Sequence, residues 1–222
     1  MATTWAIAST LFLYVVFANY NKNIMEYKAI DLGLPSGRLW ADKNVGAEKE
    51  TDYGRYFQWG DTVGYNDASH SNWENCPGND EKSMERWDGE NLNIVTGMED
   101  STKILKPEVD AATVNMGSEW RMPTIEDCTE LMNNTNYEVA EINGVKGEKF
   151  IHKNDPSKYI FLPFAGFAAD GSFGGQGVGG DVWISSVYSD DPECAYYMGA
   201  YEFDYGDYVG NRFYAFPIRG VC

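Results

Sequence analysis

Histidine is almost missing from this chain. His70 and His152 are the only two, so nucleophilic catalysis of the Ser–His or Cys–His kind has few candidates. The four cysteines, Cys76, Cys128, Cys194 and Cys222, are widely spaced and form no C-x-x-C pair. A zinc site needs several clustered soft ligands, and none can be read here. Three full disulfide pairings remain open, and one or two disulfides are expected only if the protein is exported. Positive charge is scarce as well. Seventeen Lys and Arg stand against 34 Asp and Glu, a formal net charge of −17. Such a chain repels phosphate backbones, and its cations are scattered, so a nucleic-acid partner is not expected. The acidity itself reads as solubility. There is no G-x-S-x-G, no P-loop and no H-E-x-x-H, and no pair of carboxylates stands out for acid–base work. No catalytic residue, cofactor or metal is therefore expected, and the chain reads as a non-enzyme.

What is present is apolar and aromatic. Of 222 residues, 43% are hydrophobic and 15% aromatic, enough for a real core and against global disorder. With 23 glycines, seven tryptophans and many short apolar runs, the composition points to a loop-rich fold containing β-structure. The first 24 residues stand apart. Residues 2–18 are uncharged and mostly apolar. The length suits a signal-peptide core, yet no Lys or Arg precedes it, and the run is short for a membrane span. Three readings stay open: an export or anchor signal, a strand or helix that docks on a partner, or an appended segment ahead of Met25. Any membrane contact would run through residues 2–20.

From Glu26 the pattern is of short strands broken by turns. "EYKAIDLG" alternates as a half-buried strand does, "LPSG" is a turn, and "RLWADKNVG" is a second strand. "AEKETDYG" is expected to form a short helix, and "RYFQWGD" an aromatic run. Residues 62–116 are polar and irregular, and are expected to be a surface insertion. "WRMPTIEDCTELMNN" holds the clearest helix. Thr124 is its N-cap, with Asp127 three residues on in a capping-box arrangement. Ile125, Cys128, Leu131 and Met132 recur at helical spacing, so Cys128 reads as a buried apolar residue. "GEKFIHK", "KYIFLPFAGF", "DVWISSVY", "CAYYMGAYEF" and "FYAFPIRGV" follow as strands, with tight turns that imply antiparallel pairing. The fold class expected is α+β: small antiparallel sheets, one or two short helices and long loops.

Two motifs dissolve on inspection. Gly175, Gly177 and Gly180 have dinucleotide-loop spacing but lead into a strand, where that loop must open a helix. "DDPE" at Asp190–Glu193 has oxygen ligands for calcium, and reads better as a solvated acidic turn. The C-terminal region is different. Seven of the 15 tyrosines fall between Tyr188 and Tyr214, interleaved with acids. Some must be half-buried strand residues. In "EFDYGDYVGNR", however, Tyr, Asp, Gly and Asn alternate as they do in loop paratopes, where tyrosine supplies stiff contact area at low entropic cost.

"AIDLGLPSGRLWADKNVGA", "YGRYFQWGDT", "LKPEVDAATVNMGSEWRMPT", "IFLPFAGF", "WISS" and "RFYAFPIRGV" occur in order. In these the chain, from about Glu26 to Cys222, resembles the Fibrobacter succinogenes major paralogous domain family. "GSEWRMPT" and "LGLPSGRLWA" are the specific motifs. The resemblance implies a C-type lectin-like fold over residues 25–222, with two small antiparallel sheets and a helix at "TIEDCTELMNN". It also implies a secreted, cell-surface or virion location, and similarity to the variable proteins of diversity-generating retroelements in bacteria and phages. By position, the ligand-binding face would use Tyr188, Asp190, Asp191, Tyr201, Asp204, Tyr205, Asp207, Tyr208, Asn211 and Tyr214. Trp40, Trp59, Trp120, Trp183 and Arg219 would be scaffold. The partner implied is a surface protein or glycan of another cell or virion, bound for adhesion or receptor recognition. The calcium-and-sugar motifs of true C-type lectins are missing, as is the cysteine pair of formylglycine-generating enzymes. A structural assembly module of a virion or surface appendage is the alternative, and an enzyme of the formylglycine-generating type a distant one.

Overall fold

The computed structural model describes residues 25–78, 98–191, 193–201 and 204–222. The described residues form short antiparallel strands in four small sheets, with two short α-helices. This is the α+β class expected from the sequence, weighted towards β. The resemblance implied two sheets, where four are found.

Strands β1 (Ala29–Asp31) and β2 (Leu39–Ala41) pair as a two-stranded sheet. Strand β3 (Phe57–Gln58) follows a turn region where a helix was expected. "AEKETDYG" stays non-helical because Asp52 Oδ2 takes the main-chain N–H groups of Glu48 and Lys49, both at 3.2 Å, which closes a turn. The turn ends at Gly54, with φ of 77°, where a Cβ would meet the Val45 carbonyl at 2.6 Å.

Helix α1 (Ala111–Met116) is capped by Asp110, whose carboxylate accepts from Thr113 N at 2.9 Å and from Met122 N. It lies inside the stretch expected to be a surface insertion. That expectation needs correcting for the described residues 98–116. Met98, Leu105, Ala111 and Ala112 are buried in one core cluster with Phe57, Trp59 and Trp183. A few well-placed apolar side chains suffice to recruit a segment whose overall pattern is polar. Residues 79–97 of that stretch, and the apolar segment 1–24, lie outside the described residues. Among the described residues no helix is long and apolar enough to cross a membrane.

Helix α2 (Ile125–Asn134) has the expected capping box: Thr124 accepts from Asp127 N, and Asp127 accepts from Thr124 N. Cys128 and Leu131 are fully buried, with Ile125 and Met132 packed beside them. Strands β4 (Thr135–Ile142), β5 (Val145–His152) and β6 (Tyr159–Pro163) form the sheet β4-β5-β6. Strands β7 (Phe167–Ala169) and β8 (Ser172–Gly174) join β3 in a sheet completed near the C-terminus.

Strand β9 (Gly179–Val187) is buried at all nine positions. Its alternation places Val182 and Ile184 in one core cluster and Trp183 in the other, so this strand divides the two halves of the core. The glycine-rich loop before it leads into a strand, as the sequence indicated. Strands β10 (Cys194–Tyr201) and β11 (Asp204–Asn211) complete the sheet β11-β10-β9, and β12 (Ala215–Phe216) pairs with β3 and β7. Beyond β12, Pro217 offers no N–H, and "FPIRGV" continues as an extended, buried segment. Its end is tied to β2, with Leu39 N donating to Cys222 O and Ala41 N to Gly220 O.

Candidate functional site

The β10–β11 hairpin carries most of the expected contact residues. Its register runs unbroken from Cys194 opposite Asn211 to Tyr201 opposite Asp204. Residues 204–211, read from the sequence as loop-like, are therefore a strand. Asp, Gly and Asn are weak strand formers. Here the pairing ladder supplied by β10 overrides that propensity. As the edge of its sheet, β11 also gains from charge and glycine, which discourage further pairing.

Nine of the ten expected residues lie along the hairpin or at its base, and Tyr214 follows it in the chain. Tyr188, Asp190, Asp191 and Asn211 sit at one end. Tyr201, Asp204 and Tyr205 sit at the other, five to seven strand steps or about 17–24 Å away. Asp207 and Tyr208 lie between, opposite Met198 and Tyr197. Tyr201, Asp204, Tyr205 and Asp207 are described by their backbone alone.

Tyr208 is half-buried and stacks on Tyr197, ring centroids 5.6 Å apart. Tyr197 in turn packs on Phe216 at 4.8 Å and edge-on to Trp183 at 6.0 Å. Tyr214 sits 6.2 Å from Phe216 and stacks on Phe167 at 5.5 Å. Tyr208, Tyr197, Phe216, Tyr214 and Phe167 thus form a continuous row, rooted in the buried core around Trp183. Gly210 makes room for it: a Cβ there would crowd the Tyr197 ring at 3.2 Å. Tyr214, expected as a contact residue, is half-buried like Tyr208 and packs against the core as part of this row.

The acidic end is organised differently. Tyr188 meets the edge of Tyr196 at 5.2 Å, and the charge of Asp190 beside it raises its phenol above the ordinary value. Asp191 Oδ1 accepts from Glu193 N at 2.9 Å, closing the turn before β10. The Cys194 thiol lies 3.7 Å from both Asp191 Oδ2 and Asn211 Oδ1. Burial, then the charge of Asp191, pushes this thiol up to about 11. Asp191 and Asn211 therefore hold the hairpin base together. All four cysteines are free thiols. Among the described residues, no three His, Cys, Asp or Glu side chains are placed to hold a metal ion.

The residues read as scaffold are buried. Trp40, Trp59, Trp183 and Arg219 are fully enclosed, and Trp120 nearly so. Trp59 Nε1 donates to Ile184 O and Trp183 Nε1 to Phe57 O, each at 2.9 Å, stitching β3 to β9. Sequence reasoning missed Tyr196 and Tyr197 as members of the face. The signal was present: adjacent residues of a strand take opposite sides of the sheet, so Tyr197 packs with Tyr208 on one side and Tyr196 with Tyr188 on the other. Comparison with known proteins finds no matching family model, no matching curated protein and no matching solved structure.

Proposed function

We propose that this protein is a non-enzymatic ligand-binding domain of C-type lectin-like fold, acting outside the cell or on a virion. Its contact face is the β10–β11 hairpin, and its ligand is a surface protein or glycan of another cell or virion. The fold reading is supported by the small antiparallel sheets and by helix α2 at the position the resemblance implies. The functional reading is carried by one observation: Tyr208 is half-buried and stacked on Tyr197, in a row anchored in the core. A contact residue held by its neighbours loses little entropy on binding, which is the property that makes aromatic anchors dominate interfaces. Acidic and amide groups at the two ends of the hairpin would orient the ligand.

The test is a Tyr205→Ala/Tyr208→Ala double variant, assayed by flow cytometry of the labelled protein on a panel of bacterial cells. Binding is expected to be abolished. Losing the stack should cost about 0.5–1.5 kcal/mol, a fall of only a few degrees in melting temperature. Undiminished binding would remove the hairpin from the contact face.

A further inference from the structure

A concave site lies apart from the hairpin, between the Gly46–Gly54 turn and the β8 region. It is a cleft of about 470 Å³ whose lining includes Asp52, Tyr53, Tyr56, Asn66, Phe173 and Gln176. That volume falls within the range of small-molecule sites, roughly 300–1,000 Å³.

The floor is fixed. Tyr56 is buried, and its hydroxyl donates to Ala165 O at 2.8 Å and accepts from Gln176 Nε2 at 3.0 Å. Burial pushes this phenol up to about 12, so it stays a neutral hydroxyl. Phe173 leans on the Tyr56 ring at 4.9 Å and is 41% exposed, an aromatic face left open to the cleft side. The polar lining has unused capacity. Gln176 spends its Nε2 on Tyr56, and its carbonyl oxygen has no donor among the described residues. The same holds for the Asn66 carboxamide and the Tyr53 hydroxyl. Asp52 uses Oδ2 on the turn, and its Oδ1 faces only a loose contact with Lys49 at 3.7 Å.

The charge pattern narrows the ligand. No Lys or Arg lines the cleft, and one carboxylate does. Lys49, 3.7 Å from Asp52 Oδ1, stands outside the lining, so an anion would meet that carboxylate first and a cation only at the edge of the cleft. A purely apolar ligand would strand four polar groups. We propose that this cleft binds a neutral saccharide of one or two rings. Phe173 and Tyr53 would cover the ring's C–H face, while Gln176, Asn66 and Asp52 would take its hydroxyls. The site shares no lining residue with the hairpin face and does not rest on the function proposed for that face.

The experiment is saturation-transfer NMR with titration of the whole chain. The probes are glucose, galactose, N-acetylglucosamine, maltose and lactose, with sialic acid as the anionic counterpart. At least one neutral sugar should bind, with a dissociation constant on the order of 1 mM. Sialic acid should not. Phe173→Ala and Gln176→Ala, both at exposed positions, should each weaken binding by about tenfold, while Val139→Ala, at an exposed position of β4, should leave it unchanged. Failure of every neutral sugar to bind overturns the proposal. So does binding that survives both cleft substitutions, or preferential binding of sialic acid. Sugar binding lost in Tyr208→Ala but kept in Phe173→Ala would overturn the cleft and favour the hairpin face instead.

Discussion

Arg219 Nη2 donates to the main-chain carbonyl of Phe161 at 2.8 Å, joining the C-terminal segment to β6 across 58 residues of chain. The same guanidinium reaches Asn44 Oδ1 at 2.9 Å and Ala41 O at 2.8 Å. It is fully buried, and burial pulls it down to about 9, so it remains a cation at neutral pH. Its planar fork satisfies three separate acceptors from one point, which a lysine cannot do. Arg219→Lys should therefore cost about 3 kcal/mol or more, since it strands buried acceptors. For a chain of this size that is a fall of about 6–12 °C in melting temperature, read by calorimetry. A drop of a degree or less would show that the buried cation is dispensable.

Glu148 is a liability at high pH. It lies on β5 opposite Val139 and Leu162, is only 3% exposed, and its Oε2 has no partner. Burial pushes its carboxyl up to about 7 from 4.5. The folded state thus prefers the protonated form. Its stability is full below pH 4.5 and is lost progressively as pH rises through 7, to a penalty of about 3 kcal/mol. Glu148→Gln removes that titration. The variant should be the more stable protein at pH 8 and should lose the advantage by pH 4.5. Parallel melting curves for the two proteins across that range would refute the assignment.

Helix α2 was legible because several local signals agree at one place: Thr124 and Asp127 as caps, then apolar residues at helical spacing. β9 and β10 were legible from their aromatic and β-branched residues. β11 was not, since Asp204, Gly206, Asp207 and Gly210 are loop formers recruited by a neighbouring strand. β4 was also missed, because its residues are mostly exposed and it shows no apolar run. Of the site, the sequence revealed the concentration of tyrosine and acid. It could not reveal that Tyr214 packs on Phe167 and Phe216, that Tyr208 leans on Tyr197, or that the residues divide between two ends of a hairpin. The cleft near Phe173 draws on residues more than 100 positions apart, and no sequence window contains it.

Asp127 does more than cap α2. Arg121 Nη1 lies 2.6 Å from one carboxylate oxygen and Arg38 Nε 3.2 Å from the other. Burial alone would raise this carboxyl. The hydrogen bond from Arg121, the Thr124 N–H and the two positive charges outweigh burial and hold it below the ordinary value. Its contribution is therefore present above pH 3.8 and is lost as pH falls through the lowered value. Asp127→Ala should cost about 2 kcal/mol at neutral pH, against about 1 kcal/mol for Thr124→Ala. The acid side of the stability profile should flatten in the Asp127 variant alone. Equal losses and equal acid profiles would reduce Asp127 to an ordinary cap.

The division of the hairpin makes a prediction about coupling. Tyr188 adjoins Val187, which pairs with Ala195, while Tyr205 pairs with Ala200. Five strand steps, about 17 Å, separate the two tyrosines along β10. Sites this far apart with no shared partner combine additively, within about 0.5 kcal/mol. Tyr197 and Tyr208 touch, so their substitutions should couple by about 0.5–1.5 kcal/mol. Two double-mutant cycles, read as cell-binding affinity, separate the cases. Additivity for Tyr188→Ala with Tyr205→Ala, beside coupling for Tyr197→Leu with Tyr208→Ala, identifies a ligand broad enough to engage both ends of a rigid hairpin. A Tyr188 substitution with no effect on affinity would confine contact to the aromatic row and leave Asp190 and Asp191 as parts of the turn.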